Sequence, residues 1–174
     1  MRLLVSDANI FIDLEEGGLI ELLFALPWRC RVPDLLFFDE LENHHGHLVD
    51  LGLELGELSS ATMDEVGRLT ATYRRPSRYD CFALALAKQE HCPLLTGDRE
   101  LRIAAQHENV VVAGTVWLVE AMVVHGLIDV NRAQTAYERM KDGGSRLPWA
   151  EARQRLPRVA GGELVLRDLF QELE

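Results

Sequence analysis

Short apolar segments alternate along this chain with longer stretches of helical character, and that alternation constrains the fold most. Leu3-Leu4-Val5, Leu94-Leu95-Thr96 and the β-branched run at 110–113 are too short for helices. Such runs read as strands buried on both faces, the form strands take in parallel sheets. Further strands are predicted at 28–32 and within 53–58. Helical pieces are predicted at 9–14 and 18–26, and from Pro33-Asp34 past Glu40 towards Leu51. Others are predicted at 62–73, 77–91, 98–107 and 115–125, with Ser60 to Thr62 and Thr115 as caps for two of them. Strand and helix in turn predict an α/β fold, three layers deep, with a parallel sheet covered on both faces.

After Gly126 the strands stop. A helix is predicted over 130–141, a short one over 148–156, and an amphipathic segment over 164–173. In that last segment Leu166, Leu169, Phe170 and Leu173 form a stripe suited to a partner. Residues 1–126 are thus read as the α/β core and 127–174 as a helical C-terminal extension of the same domain. A length of 174 residues suits one domain with a sizeable core. No apolar run approaches the roughly 20 residues of a membrane span. A carboxylate already at Asp7 breaks any signal-peptide pattern, so a cytoplasmic protein is expected. Cys30, Cys81 and Cys92 match neither a disulfide framework nor a zinc spacing and are expected to be reduced packing thiols.

Four acids stand beside these buried segments. Asp7 follows the first strand and Asp98 follows the strand at 94–96. Glu40 and Asp80 lie on or beside apolar helical stretches. Carboxylates in such places are costly unless paired or bound to a metal. In open α/β sheets the C-terminal strand ends are where ligands bind. The acidic motifs contain no lysine, and their chemistry suits a hard divalent cation, Mg²⁺ or Mn²⁺. The formal net charge of −10 argues against a general nucleic-acid binder. It leaves room for a nuclease, because the site acids belong to that sum. The best local basic stripe is Arg74, Arg75 and Arg78, just before Asp80, which is suited to a phosphate backbone.

Four motifs, in order, resemble the PIN domain, the nuclease fold of many bacterial and archaeal toxin endoribonucleases. They are Val5-Ser6-Asp7-Ala8-Asn9, Val32-Pro33-Asp34 with Glu40-Leu41, Tyr79-Asp80-Cys81-Phe82-Ala83, and Leu94-Leu95-Thr96-Gly97-Asp98. The likeness spans roughly 2–125. It implies five parallel strands in the order 3-2-1-4-5, which periodicity alone does not give. It also implies that Asp7, Glu40, Asp80 and Asp98 are the catalytic and metal-binding acids. Asn9 and Thr96 would then be supporting polar positions. On this resemblance Asp7 and Asp98 would ligate the metal directly. Glu40 and Asp80 would hold a second ion or orient the attacking water. Phe38 and Leu41, read as the buried helical face, favour Glu40 over Asp39 at the site.

The activity so implied is Mg²⁺- or Mn²⁺-dependent hydrolysis of RNA phosphodiesters by a toxin-like, VapC-type endoribonuclease. The implied partners are an RNA substrate, a small antitoxin protein and a second copy of the chain in a homodimer. The alternative from another class is a non-catalytic PIN-like scaffold that binds RNA or protein. His44, His45 and His47 suggest a transition-metal site, but no His-Glu-x-x-His pattern or cysteine pair completes one. A phosphate-receiver domain lacks its lysine after the strand at 110–113. A triad hydrolase lacks its nucleophile elbow.

Overall fold

The computed structural model describes residues 1–174. Five short strands form one parallel sheet: β1 (Leu3–Ser6), β2 (Arg29–Pro33), β3 (Glu54–Gly56), β4 (Leu94–Leu95) and β5 (Val112–Ala113). Their spatial order is β3-β2-β1-β4-β5, the order implied by the family likeness. Every pairing is parallel, with Val5 opposite both Arg31 and Leu94. β1 is therefore central. The order reverses there, which opens a crevice at the carboxyl ends of β1 and β4.

Helices cover both faces. α1 (Ala8–Glu16) turns its Ile10, Phe11 and Leu14 into the core. α5 (Ser60–Thr72) and α6 (Arg78–Glu90) pack on the opposite face with α7 (Arg99–His107). α6 is nearly all buried from Cys81 to Ala87, as its Ala- and Leu-rich sequence requires. Two caps differ from expectation. α5 is capped by Ser59, whose hydroxyl accepts from the Thr62 amide. α8 (Thr115–Val124) has no side-chain cap, because Gly114 takes the cap position and Thr115 is already helical, its hydroxyl donating to Asp13.

The stretch after Pro33 is not one regular helix. α2 (Asp34–Leu36) runs into a π-helical turn at Phe37–Leu41, followed by α3 (Glu42–His45) and α4 (Leu48–Leu51). The wider turn shifts the apolar face by a residue. Leu36, Phe37 and Leu41 are buried, whereas Leu35 and Phe38 face outwards, Phe38 being 51% exposed. Of the buried face expected at Phe38 and Leu41, Leu41 is buried and Phe38 is corrected to the surface.

α9 (Val130–Asp142) and α10 (Trp149–Ala160) belong to the same core as α1 and α8. Gly17 permits that approach, since a Cβ there would lie 2.5 Å from the Met140 methyl carbon. Residues 164–173 do not form the expected amphipathic helix; only Gln171–Leu173 makes a single 3₁₀ turn. Leu169 and Phe170 pack into the protein's own core, and Phe170 lies near Trp28. Most of the stripe expected to face a partner is therefore spent internally. No helix is long and apolar enough to cross a membrane.

One buried ion pair ties the extension to the rest. Glu120 on α8 is 2% exposed, and Arg155 of α10 grips it with two hydrogen bonds of 2.7 and 3.1 Å. Removing one partner of such a pair strands a charge in the core. Arg155→Met should therefore cost about 3–5 kcal/mol of unfolding free energy, and Glu120→Leu in the same chain should restore most of it. Urea unfolding of the single and double variants measures both effects.

Candidate functional site

The crevice between β1 and β4 is built by two strand ends and two helix starts. β1 ends at Ser6 and β4 at Leu95, so Asp7 and Thr96 are the first residues beyond neighbouring strands. The Asp7 amide donates to the Leu95 carbonyl at 3.0 Å, and the Thr96 amide donates to the Ala113 carbonyl at 2.9 Å. Both strands then lead into helices capped by carboxylates. Asp7 caps α1 by accepting from the Ile10 amide at 3.2 Å. Asp98 caps α7 by accepting from the Leu101 amide at 2.7 Å. Acids are favoured at such positions because they meet free amides and the positive end of the helix dipole.

Thr96 joins the two caps. Its buried hydroxyl donates to Asp7 Oδ2 and accepts from the Asp98 amide at 3.0 Å. Asp80 is held differently. It sits in the first turn of α6, where its Oδ2 accepts from the Ser77 amide at 2.8 Å and its own amide donates to Ser77 Oγ at 3.1 Å. This is a capping box. Glu40 lies exposed on the π-helical turn, whereas its neighbour Asp39 accepts from the Tyr79 hydroxyl.

The acids feel one another's charge. Asp7 is 1% exposed, and burial pushes its carboxyl up to about 7, with the charge of Asp80 adding to the rise. Hydrogen bonds from Thr96 and from the Ile10 and Asn9 amides oppose that rise. Asp80 is raised by burial and by Asp98, against the pull of its Ser77 hydrogen bonds. Glu40 is raised by desolvation, then by Asp80 and Asp39. Asp80 thus stands electrically between the other three.

The side chains do not converge into a finished ligand cage: no three His, Cys, Asp or Glu groups meet around a single metal position. The donor set nevertheless suits a hard cation. Its atoms are carboxylate oxygens, each capped oxygen keeps a free lone pair, and the cluster holds uncompensated negative charge. Mg²⁺ commonly takes only one or two carboxylates and keeps several waters. Such a mode does not need three side chains at one point.

The supporting residues divide. Thr96 is the buried link already described. Asn9 is exposed on α1 and lines both the hollow containing Glu40 and the one containing Asp98. Arg74, Arg75 and Arg78 lie exposed on the loop into α6. Arg75 reaches to 3.8 Å from Glu100 in the first turn of α7, and Arg78 lies over the Phe82 ring. His44, His45 and His47 do not gather, since buried His45 turns to Glu15 at 2.7 Å.

Sequence reasoning passed over Asp13. It lies four residues after Asn9 on α1, on the same helical face, so helix periodicity offered a signal. Its carboxylate accepts from the Thr115 hydroxyl at 2.8 Å and from the Ser145 hydroxyl. Asp13, Asp98 and Ser145 line one hollow, so the turn after α9 forms part of the site wall. Nothing local in the sequence announces Ser145.

A family model described as a PIN domain, the DUF3368 family, matches residues 3–160. The chain therefore belongs to the PIN-domain family. No curated protein matches the chain.

The buried acid gives a pH signature. The folded-state value of about 7 for Asp7 lies above the ordinary value of 3.8. The metal-free native state then holds a proton that the unfolded chain releases. That contribution to stability is complete below about pH 4 and is lost as pH rises through about 7. The loss is on the order of 1.4 kcal/mol per pH unit across the window. Asp7→Asn should flatten this slope in urea unfolding with chelator present, and raise stability above pH 7 relative to the parent.

Proposed function

From membership of the PIN-domain family, we propose that the chain is an Mg²⁺- or Mn²⁺-dependent endoribonuclease that hydrolyses RNA phosphodiesters. The observation that carries this reading is the placing of Asp7 and Asp98 at adjacent strand ends, tied through the Thr96 hydroxyl, with Asp80 near enough to add to the rise of the Asp7 and Glu40 carboxyls. Structural caps do not need to crowd one another, whereas a cation site gains affinity from doing so.

Asp7 and Asp98 are the proposed direct ligands, aligned by the Thr96 hydroxyl between them. Glu40 and Asp80 are the proposed holders of a second ion or of the attacking water. Glu40 suits the water role because its carboxyl is raised and it lies at the surface, where a strand can reach it. Bound metal would supply an activated water and neutralise charge on the phosphoryl oxygens. Asn9 borders both hollows and would orient ligands or substrate. Arg74, Arg75 and Arg78 would meet the RNA backbone on the α6 side.

We further propose, on the family likeness alone, that the protein is the toxin of a toxin–antitoxin pair, with a small antitoxin partner, and that it forms a homodimer. One observation favours the non-catalytic scaffold: three of the four acids are engaged in helix capping and no three converge. The two readings separate on Asp80→Asn, whose amide oxygen still accepts from the Ser77 amide. An enzyme should lose about a hundredfold or more of its Mn²⁺-dependent RNA cleavage while keeping its unfolding transition. A scaffold should bind RNA or protein partner unchanged and show no cleavage in either form.

Metal binding also tests the reading without a known RNA. A ligand must lose its proton before it coordinates. Mn²⁺ affinity measured by calorimetry should rise between pH 6 and pH 8, and Asp7→Asn should abolish saturable binding. Failure of the folded parent to bind Mn²⁺ at pH 8 sinks the four-acid site.

A further inference from the structure

Beside the acidic crevice lies a second cavity of about 490 Å³ that none of the acids explains. It opens between the start of α7, the start of α8 and the extension. Its lining includes five of the chain's 18 basic residues: Arg99, Arg102, Arg146, Arg155 and Arg167. Glu120 and Glu151 are its only acids. In a chain of net charge −10 this is a marked local reversal of sign.

The pairing of these arginines is uneven. Arg155 is occupied by Glu120, and Arg167 by Glu172. Arg99, Arg102 and Arg146 make no ion pair with any carboxylate. Arg102 is half-buried, and its guanidinium donates to the Thr96 carbonyl at 3.0 Å. Burial and the charge of Arg167 both disfavour its protonated form. Asp7 is the one charge that favours it, no carboxylate touches it, and a half-buried cation so placed gains from a directly bound anion.

The backbone favours an anion at the same place. Gly114, Thr115, Val116 and Trp117 line the cavity, and they are the start of α8, which has no side-chain cap. Its first amides and the positive end of its dipole are therefore open to a ligand. Gly114 is required for this arrangement. A Cβ there would lie 2.9 Å from the Arg102 guanidinium and 3.1 Å from the Thr96 carbonyl oxygen.

The cavity is continuous with the catalytic crevice. Gly97, Arg146 and Leu147 line both this cavity and the hollow that holds Asp98 and Asp13. Arg102 is joined through Thr96 to both Asp7 and Asp98. We propose that this arginine cavity binds a phosphate group of the RNA strand, held by Arg99, Arg102 and Arg146 so that a neighbouring phosphodiester lies over Asp98. The proposal rests on the ribonuclease reading for its ligand. It adds a substrate-positioning subsite built from residues other than Arg74, Arg75 and Arg78.

The test is RNA binding with chelator present, so that no cleavage intervenes. A fluorescent single-stranded RNA and inorganic phosphate are titrated separately into the parent, into Arg99→Gln/Arg146→Gln, into Arg102→Gln, and into Arg132→Gln. The last removes a charge outside the cavity. Arg99 and Arg146 are exposed, so their double variant should keep the parent's unfolding transition even if Arg102→Gln does not. Expected is an RNA affinity about tenfold weaker for the double variant, with the slope of log affinity against log salt reduced by about one. Arg132→Gln should match the parent. RNA affinity and salt slope unchanged in the double variant would overturn the proposal. Binding of inorganic phosphate without binding of RNA would overturn the assignment to RNA. Cleavage assayed with Mn²⁺ separates this proposal from its premise: RNA bound through the arginines but never cut supports the subsite and removes the nuclease, while cutting unaffected by the double variant keeps the nuclease and removes the subsite.

Discussion

The Thr96 hydroxyl is the small interaction on which the crevice depends. It is a single buried group that serves two helix caps on adjacent strands, donating to Asp7 and accepting from the Asp98 amide. Without it Asp7 would keep only backbone donors. Its carboxylate is almost fully buried, and burial is the largest force on its protonation. A carboxylate in such a place costs several kcal/mol unless its oxygens are satisfied. Hydrogen bonds from Thr96 and from the Ile10 and Asn9 amides offset part of that cost but not all of it, so the carboxyl stays raised to about 7. The arrangement is neither a relaxed cap nor a neutral acid. It is a group whose preferred state is set by whatever charge arrives beside it.

The parallel sheet supplies the geometry for this interaction. β1 is flanked by β2 and β4, so the connections leave it to opposite sides and the crevice at its end stays open. Strands of two to five residues suffice because their register places Asp7 and Thr96 side by side. α1 then carries the consequence outwards. Its inner face packs Ile10, Phe11 and Leu14, while Asp13 on another face takes the hydroxyls of Thr115 and Ser145. The extension is in this way part of the site wall. Gly17 and the Glu120–Arg155 pair matter to the site because they hold α9 and α10 in place.

Much of this was legible in the chain. Short apolar runs and their turn and cap residues pointed to all five strands and to the main helices over the first 125 residues, with a capping acid shortly after the apolar runs at 3–5 and 94–96. The strand order came from likeness to a family, since local periodicity carries no information about which strands are neighbours. The misreadings have physical causes. Phe38 looked buried because a regular helix was assumed, and the π-helical turn shifts that face. Thr115 looked like a cap, but the helix begins one residue earlier than that reading, with Gly114 at the cap and Thr115 free to donate to Asp13. The segment 164–173 looked like a free amphipathic helix, yet Leu169 and Phe170 fill a gap beside Trp28 and Trp117. Asp13 and Ser145 are 132 residues apart in sequence, and no local pattern joins them. The arginines were read as a run at 74–78, whereas the larger concentration is assembled from separate elements.

A net charge of −10 is therefore a poor guide to what approaches this molecule. Fields between exposed charges fade over about 8–10 Å at ordinary salt, so a strand of RNA responds to the charges nearest its path. Along the β1–β4 edge those charges change sign. Exposed Arg74, Arg75 and Arg78 stand at the start of α6, the acids at the strand ends, and the arginine cavity at the starts of α7 and α8. An anionic strand laid across the acids alone would be repelled. A divalent cation would reverse the sign at the acids, and the neighbouring basic groups would hold the strand beside it. The acids can then remain close enough to disturb one another without closing the crevice to a polyanion. The cation and the arginines act on different stretches of the strand, the cation where it crosses the acids and the arginines where it meets the cavity.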